Sequence, residues 1–285
     1  MFNYIFYRIG QFIVLQLPLK TGYLIAVFLA RLHCFLSLRD RQAVETNLQV
    51  IFPDYPPKTI RCLSTGTFEN FAKYLVDFFR FRILDKEYVA RNVSVENINY
   101  LDEARASGKG VIILTAHLGN WELGGVVVAL LGYPLWVVAR PHKHMSVDRF
   151  FNRQRESTGL KVIPLGRAAR LCLNLLKNKG LIALAGDIDF YKNGVCVDFF
   201  GRPVVLPYGP AVFALKTGAL IVPGFMLRNP DDSFTLRFER PITPVSTGDR
   251  DKDISRLADN YKVVMEGHIR RYPQQWYMFR RFWKA

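Results

Sequence analysis

The spacing of apolar positions changes near residue 93. Before it, residues 39–52 and 56–82 repeat at three and four, and Phe68, Phe71, Leu75 and Phe78-Phe79 draw one apolar face. That spacing predicts helices whose stripe is core. After it, short apolar runs at Val111 to Thr115, Leu135 to Ala139, Leu181 to Ala185 and Leu220 to Phe225 alternate with helical stretches at 120–131, 146–158, 167–178 and 208–217. Such alternation predicts an α/β fold with a mixed, mostly parallel sheet flanked by helices. Phe234 to Phe238 alternates by twos and fits an outer strand, and 251–272 closes the chain with a helix.

The first stretch is different again. Residues 2–36 are rich in Phe, Ile, Leu and Tyr but are broken by Pro18, Lys20 and Gly22. Neither half reaches the roughly 20 residues of a spanning helix. With Arg8 alone before Pro18 and no small-residue cleavage site, it does not read as a signal peptide. We read residues 1–38 as a membrane-associated helical segment lying at the interface, with Arg8, Lys20 and Arg31 at headgroup level, and residues 39–285 as the α/β domain. A buried hairpin has the same hydrophobic length.

Charge narrows the partners. The formal net charge is +15, from 39 Lys+Arg against 24 Asp+Glu, and this field attracts anions. No zinc-knuckle spacing, RNP-type run or basic heptad is visible, so nucleic acid is not expected. A chain that is 50% hydrophobic with 22 Phe and 13 Tyr suits an anionic membrane surface, a lipid phosphate or an acidic carrier protein. A generally solvated basic surface has the same composition. The four cysteines have no metal-ligand spacing, and a chain this long needs no disulfides, so reduced thiols in a cytoplasmic compartment are expected, with Cys196 a small packed residue.

Residues 111–125, VIILTAHLGNWELGG, carry the densest chemistry. An apolar run ends in His117, a Gly-Asn turn follows, and Trp121-Glu122 opens a second run: strand, turn, helix. Imidazole titrates near neutrality and can act as a general base. Glu122, five positions on, cannot meet His117 on one regular helix. The two can meet if His117 is on the turn and Asn120 caps a helix that holds Glu122 in its first turn. Spacing alone fits equally a satisfied strand-end histidine and a glutamate favoured by the helix dipole.

Further polar groups stand at strand ends, where ligands bind in open α/β sheets. Arg140 follows one apolar run, and Asp187 and Asp189 follow another. The two aspartates could bind a metal, pair with Arg140 or Arg202, or structure the loop that follows. Tyr191-Lys192 breaks an EF-hand pattern. Arg149, Arg153 and Arg155 read as a solvated helix face. An alternative reading is a metal-dependent hydrolase using His117, His142, His144, Asp187 and Asp189. Lys143 between the two histidines opposes it.

The segment His117-Leu118-Gly119-Asn120-Trp121-Glu122 resembles the H-x-x-x-x-[DE] signature of glycerolipid-type acyltransferases. Most of the chain is similar to the late acyltransferases of lipid A biosynthesis, the lauroyl/myristoyl transferase family. The blocks Asp40 to Val44, Phe52-Pro53, Phe68 to Phe71, Gly186 to Asp189, Asp198 to Pro203, Gly209 to Ala211 and Pro273 to Trp276 carry the likeness. The resemblance implies transfer of a fatty acyl chain from a thioester on acyl carrier protein or coenzyme A to a hydroxyl of a glycolipid, a lipid A precursor, with no metal or cofactor. His117 would deprotonate that hydroxyl and Glu122 would orient His117. Asn120, Arg140, Asp187, Asp189 and Arg202 would line the substrate site, with Arg140 on a phosphate of the donor arm. It also implies an enzyme at the cell inner membrane with its site facing the cytoplasm.

Overall fold

Pro18 splits the apolar N-terminal stretch into α1 (Phe2–Gln16) and α2 (Leu19–Leu36), because its ring has no amide to continue the helix. The computed structural model describes residues 2–190 and 194–283; Tyr191-Lys192, used above against an EF-hand, lies outside the described residues. Next come α3 (Leu38–Ile51) and α4 (Pro57–Arg80), whose proline takes the first turn, where no amide partner is lost. Of the predicted stripe α4 buries Phe68 and Phe78, while Phe71, Leu75 and Phe79 are half-buried; Ile60, Tyr74 and Val76 complete the buried face. Gly22 lets α2 lie close on α4, since a Cβ there would already touch Val76 at 3.4 Å.

Among the described residues nothing covers the outer face of α2. Leu24, Phe28, Leu32 and Phe35 recur along it, with Phe28 68% and Phe35 73% exposed. Phe6 and Phe12 of α1 are as open. Against the expectation that neither half is long enough to span, α2, at 18 residues, is by length and composition alone long and apolar enough to cross a membrane.

The remaining elements are α5 (Lys86–Asn92), β1 (Val93–Glu96), α6 (Ile98–Ala106), β2 (Val111–Thr115), α7 (Trp121–Leu130), β3 (Leu135–Ala139), α8 (Met145–Glu156), β4 (Lys161–Pro164), α9 (Ala168–Lys177), β5 (Leu181–Ala185), β6 (Val195–Phe199), β7 (Arg202–Leu206), α10 (Gly209–Thr217), β8 (Leu220–Arg228), β9 (Phe234–Phe238) and α11 (Arg250–Arg271). A seven-stranded sheet runs β1-β9-β8-β2-β5-β3-β4. Its pairs are parallel except β8 with β9. β6 and β7 form a separate antiparallel hairpin.

The apolar runs and the strands coincide at β2, β3, β5 and β9, while β8 continues to Arg228. The short strands β1 and β4 carry too few residues to show a period, and they form by pairing with β9 and β3. Cys196 is a correction: it lies on the open face of the β6–β7 hairpin and is exposed. Alternate residues of β2 serve two cores. Val111 and Ile113 pack toward α7 and α8, and Ile112 and Leu114 toward α9, α10 and α11. β5 lies between β2 and β3, so the chain leaves β2 in one direction and returns beside it. The crevice beyond the carboxyl ends of these strands is the expected ligand position.

Candidate active site

The chain between β2 and α7 is held on three sides. Gly119 has φ +62°, and a Cβ there would lie 2.0 Å from the Met226 carbonyl oxygen, so only glycine fits. The Gly119 amide donates to the Gln275 carbonyl at 2.8 Å and the Asn120 amide to the Met226 carbonyl at 2.8 Å. The Tyr277 amide donates to the His117 carbonyl at 2.9 Å. Asn120 caps α7 as the spacing requires, its Oδ1 accepting from the Leu123 amide at 3.1 Å.

His117 Nδ1 lies 2.7 Å from Oδ1 of Asp187, and the His117 amide donates to Oδ2 at 2.9 Å. Trp276 Nε1 donates to the same Oδ2 at 3.1 Å. Asp187 is wholly buried, while the imidazole is 21% exposed. A carboxylate acceptor at Nδ1 keeps the proton there and leaves Nε2 as the basic nitrogen. Burial disfavours the imidazolium, but the charge and hydrogen bond of Asp187 outweigh it and Glu122 adds to them; the His117 pKa is raised. Burial pushes Asp187 up, and its bonds to His117 and Trp276 more than reverse this, holding it below the ordinary carboxylate range.

The expectation that Glu122 orients His117 is corrected by this geometry. Glu122 accepts from Arg155 Nε at 2.8 Å and Nη2 at 2.5 Å, a bidentate pair that occupies both oxygens. It reaches the imidazole only through charge. The spacing along α8 predicts Arg155 solvated with Arg149 and Arg153, and the structure corrects this. Arg155 is 8% exposed, whereas the other two are open to solvent. A side-chain count along α8 does not distinguish the three; only the packing of α8 over the sheet turns Arg155 inward.

The other expected residues separate. Arg140 and Asp189 line the cavity beside His117 and Glu122. Arg140 lies over the Phe190 ring at 4.9 Å, and Asp189 accepts from the Gly194 amide at 2.9 Å. Asp187 faces His117, not Arg140 or Arg202. Arg202 is exposed on the β6–β7 hairpin and is not part of the cavity wall. Asn120, 1% exposed, is not part of it either. The His142 ring lies tilted at 34° against Phe151 with centroids 4.4 Å apart, and its pKa is lowered by burial and then by Arg155. Among the described residues no three His, Cys, Asp or Glu side chains group as metal ligands. Trp276, which completes the environment of Asp187, belongs to a block that the family likeness contained, but nothing in its spacing joins it to the strand end.

From His117 a cavity of ≈ 650 Å³ runs over the ends of β2, β5 and β3. Its wall includes the polar side chains of His117, Glu122, Arg140, Arg155 and Asp189. Its apolar lining includes Ile113, Val137 and Ala183 of the strands, Gly124, Gly125 and Val128 of α7, and Ala168, Leu173, Val212 and Phe213 of α9 and α10. Adjacent glycines weaken a helix, and here they keep its inner face open: a Cβ on Gly125 would stand 3.5 Å from Leu160 and 3.7 Å from Val137. A basic nitrogen at the mouth of an apolar channel can take a proton from a hydroxyl next to a long-chain substrate.

The family model described as bacterial lipid A biosynthesis acyltransferase matches residues 1–285. A phosphatidylinositol mannoside acyltransferase of Mycolicibacterium smegmatis is 31% identical over 81% of this chain and 74% of its own length. A lipid A biosynthesis palmitoleoyltransferase of Escherichia coli is 26% identical over 94% of this chain and 88% of its own length. A lipid A biosynthesis acyltransferase of Haemophilus influenzae is 23% identical over 84% and 74%. The chain belongs to the bacterial lipid A biosynthesis acyltransferase family and is an acyltransferase.

Proposed function

We propose that the protein transfers a fatty acyl chain from a thioester donor, acyl carrier protein or coenzyme A, to a sugar hydroxyl of a glycolipid at a membrane surface. The observation that carries this is a histidine whose Nδ1 is held by buried Asp187 in the wall of a cavity lined largely by apolar side chains. Nε2 of His117 takes the proton as the acceptor oxygen attacks the thioester carbonyl. The tetrahedral intermediate collapses, the C–S bond breaks, and the proton passes from His117 to the leaving thiolate. Asp187 holds the tautomer and steadies the imidazolium, as a carboxylate does in a hydrolase triad. Glu122 adds negative charge and, through Arg155, ties α7 to α8.

The acyl chain lies in the channel under α7, and Arg140 at the polar end meets a phosphate of the donor. The outer face of α2 seats on anionic lipid, which the charge of +15 favours. The site then faces the same side of the inner membrane as the cytoplasmic thioesters. The acceptor is a phosphorylated glycolipid. A lipid A precursor is our first choice, and the mannoside enzymes at 31% identity make a mannosylated phosphoinositide the second.

The test is to incubate the full chain in vesicles with palmitoyl-coenzyme A or palmitoyl-acyl carrier protein and each acceptor, then weigh the lipids by mass spectrometry. A gain of one acyl chain on one acceptor, lost by about 10²–10⁴ in His117→Ala, is expected for a general base. Undiminished transfer by folded His117→Ala would overturn the mechanism.

A further inference from the structure

A second polar cluster is buried behind the catalytic turn, and the chemistry above makes no use of it. Asp77 of α4, 4% exposed, accepts from three side chains. Tyr23 of α2 donates its hydroxyl to Oδ1, and Arg228 at the end of β8 donates to Oδ2. Asn120 Nδ2 donates to the same Oδ2 at 2.7 Å. Arg228 also reaches the Tyr23 hydroxyl at 3.1 Å, and its backbone is bracketed by the Gln275 side chain at 2.8 and 2.9 Å. None of Tyr23, Asp77, Asn120 and Arg228 is among the residues of the cavity wall.

Asn120 therefore has two duties. Its Oδ1 caps α7, which carries Glu122, and its Nδ2 binds Asp77. The cap needs only the oxygen. The second arm ties the residue between His117 and Glu122 to α4 and, one bond further, to the helix whose opposite face is bare of protein cover. Buried carboxylates are costly unless fully bonded, so a chain that keeps one here keeps its partners in one arrangement.

We propose that Asp77 is a positioning residue for acyl transfer, and that Tyr23 makes the lipid-facing helix α2 part of the apparatus that fixes the His117–Glu122 turn. The proposal rests on the acyl-transfer reading above. It places no group of the cluster on substrate, so its loss acts on turnover and not on substrate affinity.

Asn120→Ser keeps a capping oxygen but cannot reach Asp77, and Tyr23→Phe removes one hydroxyl. Each variant, the pair together and His117→Ala are assayed as full chains on anionic vesicles with palmitoyl-coenzyme A and the acceptor that the wild-type chain uses. Melting temperature is recorded beside kcat and KM. Expected are a kcat about tenfold lower in Asn120→Ser, which corresponds to loss of one charge-assisted bond, and at least threefold lower in Tyr23→Phe, with KM within twofold in both. Because both act through Asp77, the double variant falls no further than the weaker single one. Wild-type kcat in both with only a lowered melting temperature, or multiplicative losses in the double variant, would overturn the proposal. If Asn120→Ser does not fold, Tyr23→Phe decides alone. Full activity of His117→Ala would instead sink the acyl-transfer reading, so the two failures are separable.

Discussion

Nδ1 of His117 and Oδ1 of Asp187 stand 2.7 Å apart although 70 residues separate them in the chain. The bond has a direct consequence for pH. In the proposed mechanism the neutral imidazole is the active form, so the rate is expected to fall on the acid side. Because the His117 pKa is raised, the rising limb of kcat/KM is expected above the ordinary histidine value of 6.5. Asp187→Asn removes the charge that raises it and leaves burial, which lowers it, so the limb moves to lower pH while kcat falls. A pH–rate profile of the two proteins reads both effects; an unmoved limb would show that His117 is not the titrating base.

The same pair acts on stability with opposite signs. His117, raised on folding, contributes stability that is complete below the unfolded value of 6.5 and is lost as pH climbs through its folded pKa. Asp187, lowered on folding, contributes stability above the unfolded value of 3.8 that is lost as pH falls through its folded pKa. Urea midpoints from pH 3 to pH 9 should therefore show Asp187→Asn losing its deficit against wild type on the acid side.

Glu122 and Arg155 form a pair with side chains only 13% and 9% exposed. Removing one member strands a buried charge, and Arg155→Ala is expected to lose about 3–5 kcal/mol of stability. Replacing both by Gln and Met is expected to recover much of that loss without restoring activity, since the negative charge near His117 is gone. Chemical denaturation with parallel transfer assays checks this. Recovery of activity in the double variant would confine Glu122 to a structural duty.

Gly125 lines the cavity beside Leu160 and Val137. Gly125→Leu projects toward Leu160 and Val137 and should shorten the chain that fits. Each methylene shut out costs about fourfold in kcat/KM, from roughly 0.8 kcal/mol of burial. Competition between acyl-coenzyme A donors of graded length measures the shift, and an unchanged preference would place the acyl chain elsewhere.

Phe28 and Phe35 stand on the exposed face of α2. Asp at both positions is expected to lower binding to anionic vesicles at least tenfold in a sedimentation assay, because apolar contact and charge attraction fail together. Equal binding would assign membrane contact to another surface.

The apolar runs of β2, β3, β5 and β9 were legible because each is long enough to show its period and ends at a turn signal. β1 and β4 were not legible, since four residues are too few to show a period, and β6 and β7, though five residues long, are interrupted by Asp198, Arg202 and Pro203 and are defined by pairing with each other. The capping of α7 by Asn120 could be read locally, because cap and capped amide are three residues apart. Arg155 could not be told from Arg149 and Arg153, as all three share one helix and one chemistry.

The family, the α/β alternation, the break at Pro18 and the histidine at the end of β2 are properties of the sequence alone, written in local spacing and in motif. Which carboxylate holds that histidine was decided only by the tertiary structure. Glu122 is near His117 along the chain, but the α7 helix turns it toward Arg155; Asp187 is far along the chain, and parallel pairing of β2 with β5 brings it alongside. Sequence distance sets the cost of closing a loop, whereas the direction of a side chain is set by the backbone that carries it and by what packs against it.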